Sequence, residues 1–224
     1  MRYSDRLTPR CRRPVLNLTL YVDADFLSPY AMSSHVALSE KGLPFELRLV
    51  DLGAHEQYMA PFQQRAPTCR VPALCHEGFH LTESSAIAEY LEESFPAPQF
   101  SALYPLDRQE RARARQLQAW LRSDLLALRQ ERPTEHVFHA KIARPLSEAA
   151  LPASAKLLRV AERLLKPAQP TLFANWCIAD TELALMLRRL TPSELPAWLA
   201  DYAEQQWQRP SVQRWLRHNA SARA

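Results

Sequence analysis

The chain predicts an α/β domain followed by an all-α domain, and three observations carry that fold class. From Leu16 to about Ser94 the patterning alternates in the order β-α-β, an irregular stretch, then β-β-α. The proline-interrupted run FPAPQFSALYP, Phe95 to Pro105, reads as a linker. Beyond Asp107 every apolar pattern has helical spacing. These observations divide the chain into a disordered basic tail (1–15), an α/β domain (16–94), a linker (95–106) and an all-helical domain (107–224).

The elements follow in order. LNLTLYV is a strand, and Pro29 to Lys41 is a helix stopped by Gly42. FELRLVDL alternates with a period of two and gives the second strand. RVPALC and FHLT, separated by Glu77-Gly78, form a hairpin. A helix then runs from about Ser84 to Glu93, with Ile87, Tyr90 and Leu91 on one face. In the second domain Leu117, Trp120, Leu121, Leu125 and Leu128 make one apolar stripe, and Leu157, Val160, Ala161, Leu164 and Leu165 a second. Ala179, Leu183, Met186, Leu187 and Leu190 make a third, and two shorter helices follow around Trp198 and Trp215.

Composition narrows the function. The chain of 224 residues is 47% hydrophobic, enough for a sizeable core. With 3 Gly against 18 Pro and no G-x-G-x-x-G string, a glycine-rich phosphate cradle is excluded. The net charge of +4 sits in the opening segment, where Arg2, Arg6, Arg10, Arg12 and Arg13 face only Asp5; a nucleic-acid partner is therefore not expected. No apolar run reaches the roughly 18 residues of a membrane span, so no membrane partner is expected. The 4 Cys are scattered and fit a reducing, cytoplasmic location. Cys69, Cys75, His76 and His80 lack the spacing of a zinc knuckle, so no metal is expected.

Three motifs carry chemistry. In ADFLSPYAMSS, Ser28 and Pro29 stand where the first strand hands over to a helix. Ser is a preferred N-cap and Pro a preferred first helical residue, so plain capping explains them. The same hydroxyl, beside unpaired N–H groups and partial positive charge, can also hold an anion such as a thiolate. In RVPAL, Pro72 cannot donate a ladder hydrogen bond; an ordinary trans proline on an edge strand accommodates it, and so does a cis Val71–Pro72 bond that aims the Val71 backbone at an extended ligand. In LTESSAIAEY, Glu83 and Ser84 sit at another helix N-terminus, where they either cap the helix or grip a ligand bearing both carboxylate and ammonium.

Taken in order and at this spacing, Ser28-Pro29-Tyr30, Arg70-Val71-Pro72 and Glu83-Ser84 resemble the thioredoxin-like N-terminal domain of the glutathione S-transferases, in particular the serine-dependent theta, tau and zeta classes and their bacterial relatives. The resemblance extends over Leu16 to Ala220. It implies a cytoplasmic enzyme that conjugates the glutathione thiolate to a hydrophobic electrophile, and it admits glutathione-dependent peroxidase activity on the side. It also implies a homodimer and no cofactor, glutathione being a co-substrate. Ser28 would be catalytic, donating a hydrogen bond to the glutathione sulfur. Val71 would pair with the cysteinyl backbone, Glu83 and Ser84 would hold the γ-glutamyl end, and Arg70 would stand beside the tripeptide. His55 would contact the glycyl carboxylate. A free thiol titrates near 8.5, and lowering it by about two units takes roughly 2.7 kcal/mol. One charge-assisted hydrogen bond supplies about 1.5–3 kcal/mol and the helix end about 0.3–1. The alternative is a transferase-like fold kept as a non-catalytic binding module.

Further expectations concern the helical domain. ANWCIADTELALML resembles the family's capping box with Cys177 in the Ser/Thr place, so half of the reciprocal pair, through Asp180, is expected to survive. Asp124 lies within an apolar stripe and needs a partner, either a cleft group, another subunit or its own domain. Arg108, Arg115, Arg122 and Arg129 recur every seven residues, as a steering stripe or as a solvated face paired with acids such as Glu92, Glu93 or Glu110. Leu27, Tyr30, Trp120 and Leu128 are positional candidates for the electrophile pocket.

Overall fold

The computed structural model describes residues 17–139 and 144–222. The basic opening segment, and with it the expectation for residues 1–15, lies outside the described residues. Strand β1 (Leu18–Asp23) is followed by helix α1 (Pro29–Glu40), β2 (Glu46–Val50), a 3-10 turn at Glu56–Tyr58 and the short α2 (Ala60–Gln63). Then come β3 (Ala73–His76), β4 (Phe79–Thr82) and α3 (Ser84–Ser94). The sheet order is β2-β1-β3-β4, with β2 parallel to β1 and the others antiparallel. This is the expected β-α-β, β-β-α arrangement.

Alternation decides which face of the sheet is buried. Leu18, Leu20 and Val22 of β1 all point into the core, against Met32, Val36, Leu74, Ile87 and Leu91. Helix α1 is buried along most of its length, from Ala31 to Leu38, because the sheet covers one side and the second domain the other. It ends at Lys41, and Gly42 takes φ +65° just beyond, a conformation that costs glycine little. The Lys41 ammonium is itself buried and pairs with Glu92 at 2.8 Å, while donating to the Phe95 carbonyl at 2.7 Å. That contact fastens α1 to α3 and to the linker.

The helical domain comprises α4 (Arg108–Ser123), α5 (Leu126–Glu131), α6 (Thr134–Phe138), α7 (Leu151–Leu164), α8 (Ile178–Leu187), α9 (Ala197–Trp207) and α10 (Pro210–Ser221). The stripe read from Leu117 to Leu128 is split between two helices. Asp124 adopts an extended conformation and Leu125 a left-handed one (φ 61°), so the chain turns between α4 and α5. Asp124 therefore caps the end of α4 instead of lying in an apolar face. Its carboxylate accepts from Trp120 Nε1 at 2.8 Å and the Leu125 N–H at 2.7 Å, and it pairs with Lys156 at 2.5 Å. The Lys156 hydrogen bond and these donors hold the Asp124 carboxyl down to about 2. Of the three partners considered, its own domain supplies them all.

At the start of α8 both halves of the capping box are present, where only the Asp180 half was expected. The Cys177 N–H donates to Asp180 at 2.9 Å, and the same carboxylate accepts from the Leu172 N–H at 2.7 Å and the Tyr202 hydroxyl at 2.8 Å. Asp180 thus ties α8 to α9 and to the loop before it.

Candidate functional site

The loop between β1 and α1 is held from below by Asp23. Its buried carboxylate Oδ2 accepts the N–H groups of Leu27 and of Ser28, the latter at 3.0 Å. Burial raises the Asp23 pKa and those backbone donors lower it, with burial winning. Held in this way, Ser28 is the N-cap of α1, and its Oγ accepts the Ala31 N–H at 3.2 Å. Pro29 at the first helical position removes an N–H that would have had no helical partner. A hydroxyl offers two acceptor sites and one donor, so this cap leaves the Ser28 O–H free to donate.

Ser28 opens onto a cavity of about 470 Å³ that also has Tyr30, Arg70, Val71, Pro72, Glu83 and Ser84 in its walls. The Val71–Pro72 peptide bond is cis, the less common of the two arrangements considered. Glu83, at the N-cap of α3, has φ 70°, which costs a non-glycine residue of order 1–3 kcal/mol and persists where the surroundings enforce it. Ser84 is buried and Glu83 exposed, so the two neighbours present a sheltered hydroxyl and an open carboxylate to one cavity.

The structure thus brings Ser28, Arg70, Val71, Glu83 and Ser84 to one cavity, and it does not bring His55 there. His55 is exposed on a left-handed turn (φ 60°), its ring 6.2 Å from that of Tyr58. Gln57 and Tyr58, two and three residues further on, line the wall instead, and the Gln57 Oε1 is buried without a hydrogen-bond partner. Thr68, Cys69 and Leu52 complete that side. None of these was singled out for the site from sequence, because the segment has no periodicity to place its side chains. Of the four electrophile-pocket candidates, Tyr30 lines this cavity. Leu128 is wholly buried, Trp120 is tied to Asp124, and Leu27 is absent from the lining.

Behind Ser84 lies a polar junction between the domains. Arg122 of α4 donates to both Glu182 oxygens at 2.7 Å and to Ser84 Oγ at 3.1 Å. Glu182 also accepts from Ser33 of α1 at 2.7 Å and Gln118 at 3.0 Å. The Arg122 guanidinium stands 5.8 Å from the Tyr30 ring centre, and Arg129 donates to the Tyr30 hydroxyl at 3.2 Å. The seven-residue arginine series is therefore not one surface. Arg115 pairs with Glu89 in solvent, Arg122 is at the domain junction and Arg129 belongs to α5. Of the acids named for it, Glu92 pairs at 3.0 Å with Arg111, which lies outside the series.

A four-stranded mixed sheet of this order, with a serine-capped helix on the wall of a cavity and a helical bundle packed behind it, defines a two-domain thioredoxin-like protein. Residues 27–94 match the family profile for the glutathione S-transferase N-terminal domain and residues 107–221 that for the C-terminal domain. The chain belongs to the glutathione S-transferase family. A glutathione transferase homolog from Burkholderia gl BGR1, solved with bound glutathione, is 47% identical with a TM-score of 0.77, covering 92% of this chain and 99% of that one. Glutathione S-transferase theta-3 of Mus musculus is 37% identical over 105 residues, 47% of this chain and 42% of its own length. Glutathione S-transferase theta-1 of Homo sapiens is 37% identical over 110 residues, 49% of this chain and 44% of its own. Each of these two curated relatives is thus matched over less than half of its length. Among the described residues no helix is long and apolar enough to cross a membrane.

Proposed function

We propose that this protein is a glutathione transferase that joins the glutathione thiolate to electrophilic small molecules, working as a homodimer in the cytoplasm. One observation carries the reading: the Ser28 hydroxyl caps α1 with an acceptor site and keeps its own hydrogen available, on the wall of a cavity that also holds Val71, Glu83 and Ser84. In this reading Ser28 donates to the sulfur and favours thiolate over thiol, with α1 adding its positive end. The thiol proton passes to solvent, and the sulfur lone pair attacks the electrophilic carbon as the leaving group departs with its bonding pair. No general base is required, since holding both reactants in one cleft supplies the remaining advantage. Glu83 and Ser84 take the γ-glutamyl ammonium and carboxylate, and the Val71 backbone takes the cysteinyl amide. Gln57, which lines the cavity where His55 does not, faces the glycyl end in this reading, its amide N–H donating to the carboxylate.

Retention on immobilised glutathione, followed by turnover of a chromogenic aryl halide, tests this directly. Retention with turnover supports the enzyme. Neither retention nor turnover favours a non-catalytic module.

A further inference from the structure

We propose that the electrophile carries an anionic group, a carboxylate, and that Arg129 and Arg189 receive it behind Tyr30. The proposal rests on the transferase reading and names the substrate class of that same site.

A second cavity, of about 40 Å³, shares Tyr30 with the larger one and has Arg122, Arg129, Glu182, Met186 and Arg189 in its walls. Only one of its three guanidiniums is matched by an acid. Arg122 is neutralised by Glu182, whereas among the described residues no carboxylate lies within ion-pair distance of Arg129 or Arg189. Arg189 is 3% exposed, and Arg129 is half-buried. In each, the Nε is buried without a partner. Burial first, and then the charge of Arg129, pull the Arg189 pKa down to about 10, so the two cations sit close enough to repel.

Of the other charged and titratable groups that bear on them, Glu135 of α6 favours the Arg189 charge without coming within ion-pair distance, and burial, then the charges of Arg132 and Arg189, lower the pKa of His136. Arg132, capping the end of α5, pairs with Glu194, and the Arg132 carbonyl accepts from Arg189 in a contact that pins the ends of α5 and α8 together. The Tyr30 hydroxyl of α1 accepts from Arg129. That pinning contact gives Arg189 a structural task but uses only one of its nitrogens, and it gives Arg129 none. A buried guanidinium without an acid is costly, and a planar carboxylate is the group its donors fit.

Size agrees with this. A cavity needs only about 10–15 Å³ of such volume to hold a water, so the notch accepts a carboxylate and not an aromatic ring. The body of the substrate then stays on the Ser28 side of Tyr30, with its acid reaching past the ring.

Two unreactive probes, 3,5-dinitrobenzoate and 3,5-dinitrobenzamide, test the subsite by calorimetry with S-methylglutathione present. The benzoate is expected to bind at least tenfold more tightly. Arg129→Leu should bring the two within twofold, and Arg129→Lys should keep part of the difference. Equal affinities for the original protein, or a ratio untouched by Arg129→Leu, overturn the proposal. In parallel, turnover of 4-chloro-3,5-dinitrobenzoate and of its amide is measured, each divided by its uncatalysed rate with glutathione. Preferential benzoate binding with no turnover of either keeps the anion subsite and removes the transferase reading. Equal normalised turnover with equal binding keeps the transferase and removes the subsite.

Discussion

Replacing Glu182 by Gln perturbs the junction on which both domains and Ser84 lean. The carboxylate accepts four hydrogen bonds, two from Arg122 and one each from Gln118 and Ser33. Gln preserves the shape but turns one acceptor into a donor facing the Arg122 guanidinium. The Arg122 and Glu182 side chains are 20% and 11% exposed. Breaking a fully buried pair costs about 3–5 kcal/mol, and the remaining exposure lowers the expectation here to about 2–3 kcal/mol. Arg122→Met should cost a similar amount, because it strands the carboxylate. The double variant should be less destabilised than the sum by about 1–2 kcal/mol, since neither charge is then left alone. Urea unfolding of the four proteins gives the coupling, and the KM for glutathione should rise in each single variant as Ser84 Oγ loses its anchor. Additive costs, with a coupling below about 0.5 kcal/mol, would refute the idea that the pair acts as one unit.

Three other outcomes follow from the same packing. His35 is buried with its pKa lowered to about 3, chiefly by burial and then by His218 and Arg214. A folded-state pKa below the unfolded value near 6.5 means stability is fully present above that pH and lost as pH falls toward 3, by at most about 1.4 kcal/mol per unit. Unfolding free energies of His35→Gln should therefore depend less on pH between these limits, and an unchanged slope would assign the loss elsewhere. Lys156→Met should raise the Asp124 midpoint from about 2 toward the ordinary aspartate range, read by carboxyl NMR titration; an unmoved midpoint would remove Lys156 as the main cause. Asp180→Asn should destabilise by about 1–3 kcal/mol in urea, because one oxygen cannot serve the Leu172, Cys177 and Tyr202 donors together. No loss of stability would contradict that network.

The order of elements was legible because a period of two and a period of 3.6 separate cleanly in segments such as Phe79–Thr82 and Ser84–Ser94. Ser28, Val71, Glu83 and Ser84 were legible as cavity residues because each stands at a junction marked by its own punctuation, a proline or a helix start. The break at Asp124–Leu125 was not, since it contains neither Gly nor Pro and a left-handed leucine leaves no signal in composition. That His55 stands outside the cavity lining was illegible for a related reason. The residue occupies a left-handed turn in an aperiodic stretch, so counting residues could not separate it from Gln57, which does face the cavity. The arginine series is not one surface because the chain turns between α4 and α5, which separates Arg129 from the rest. Arg115 and Arg122 share nearly one face of α4, about 20° apart, and differ by position along it: Arg122 meets Glu182 at the domain junction, whereas Arg115 meets Glu89 in solvent.

The most direct measurement is the pH titration of bound glutathione, followed by thiolate absorbance in the ultraviolet, for the original protein and for Ser28→Ala. If the Ser28 hydroxyl stabilises the sulfur anion, the midpoint lies about two units below the free value near 8.5, and the substitution returns it by at least one unit, or about 1.4 kcal/mol. A midpoint identical in the two proteins, with glutathione still bound, contradicts the role assigned to Ser28.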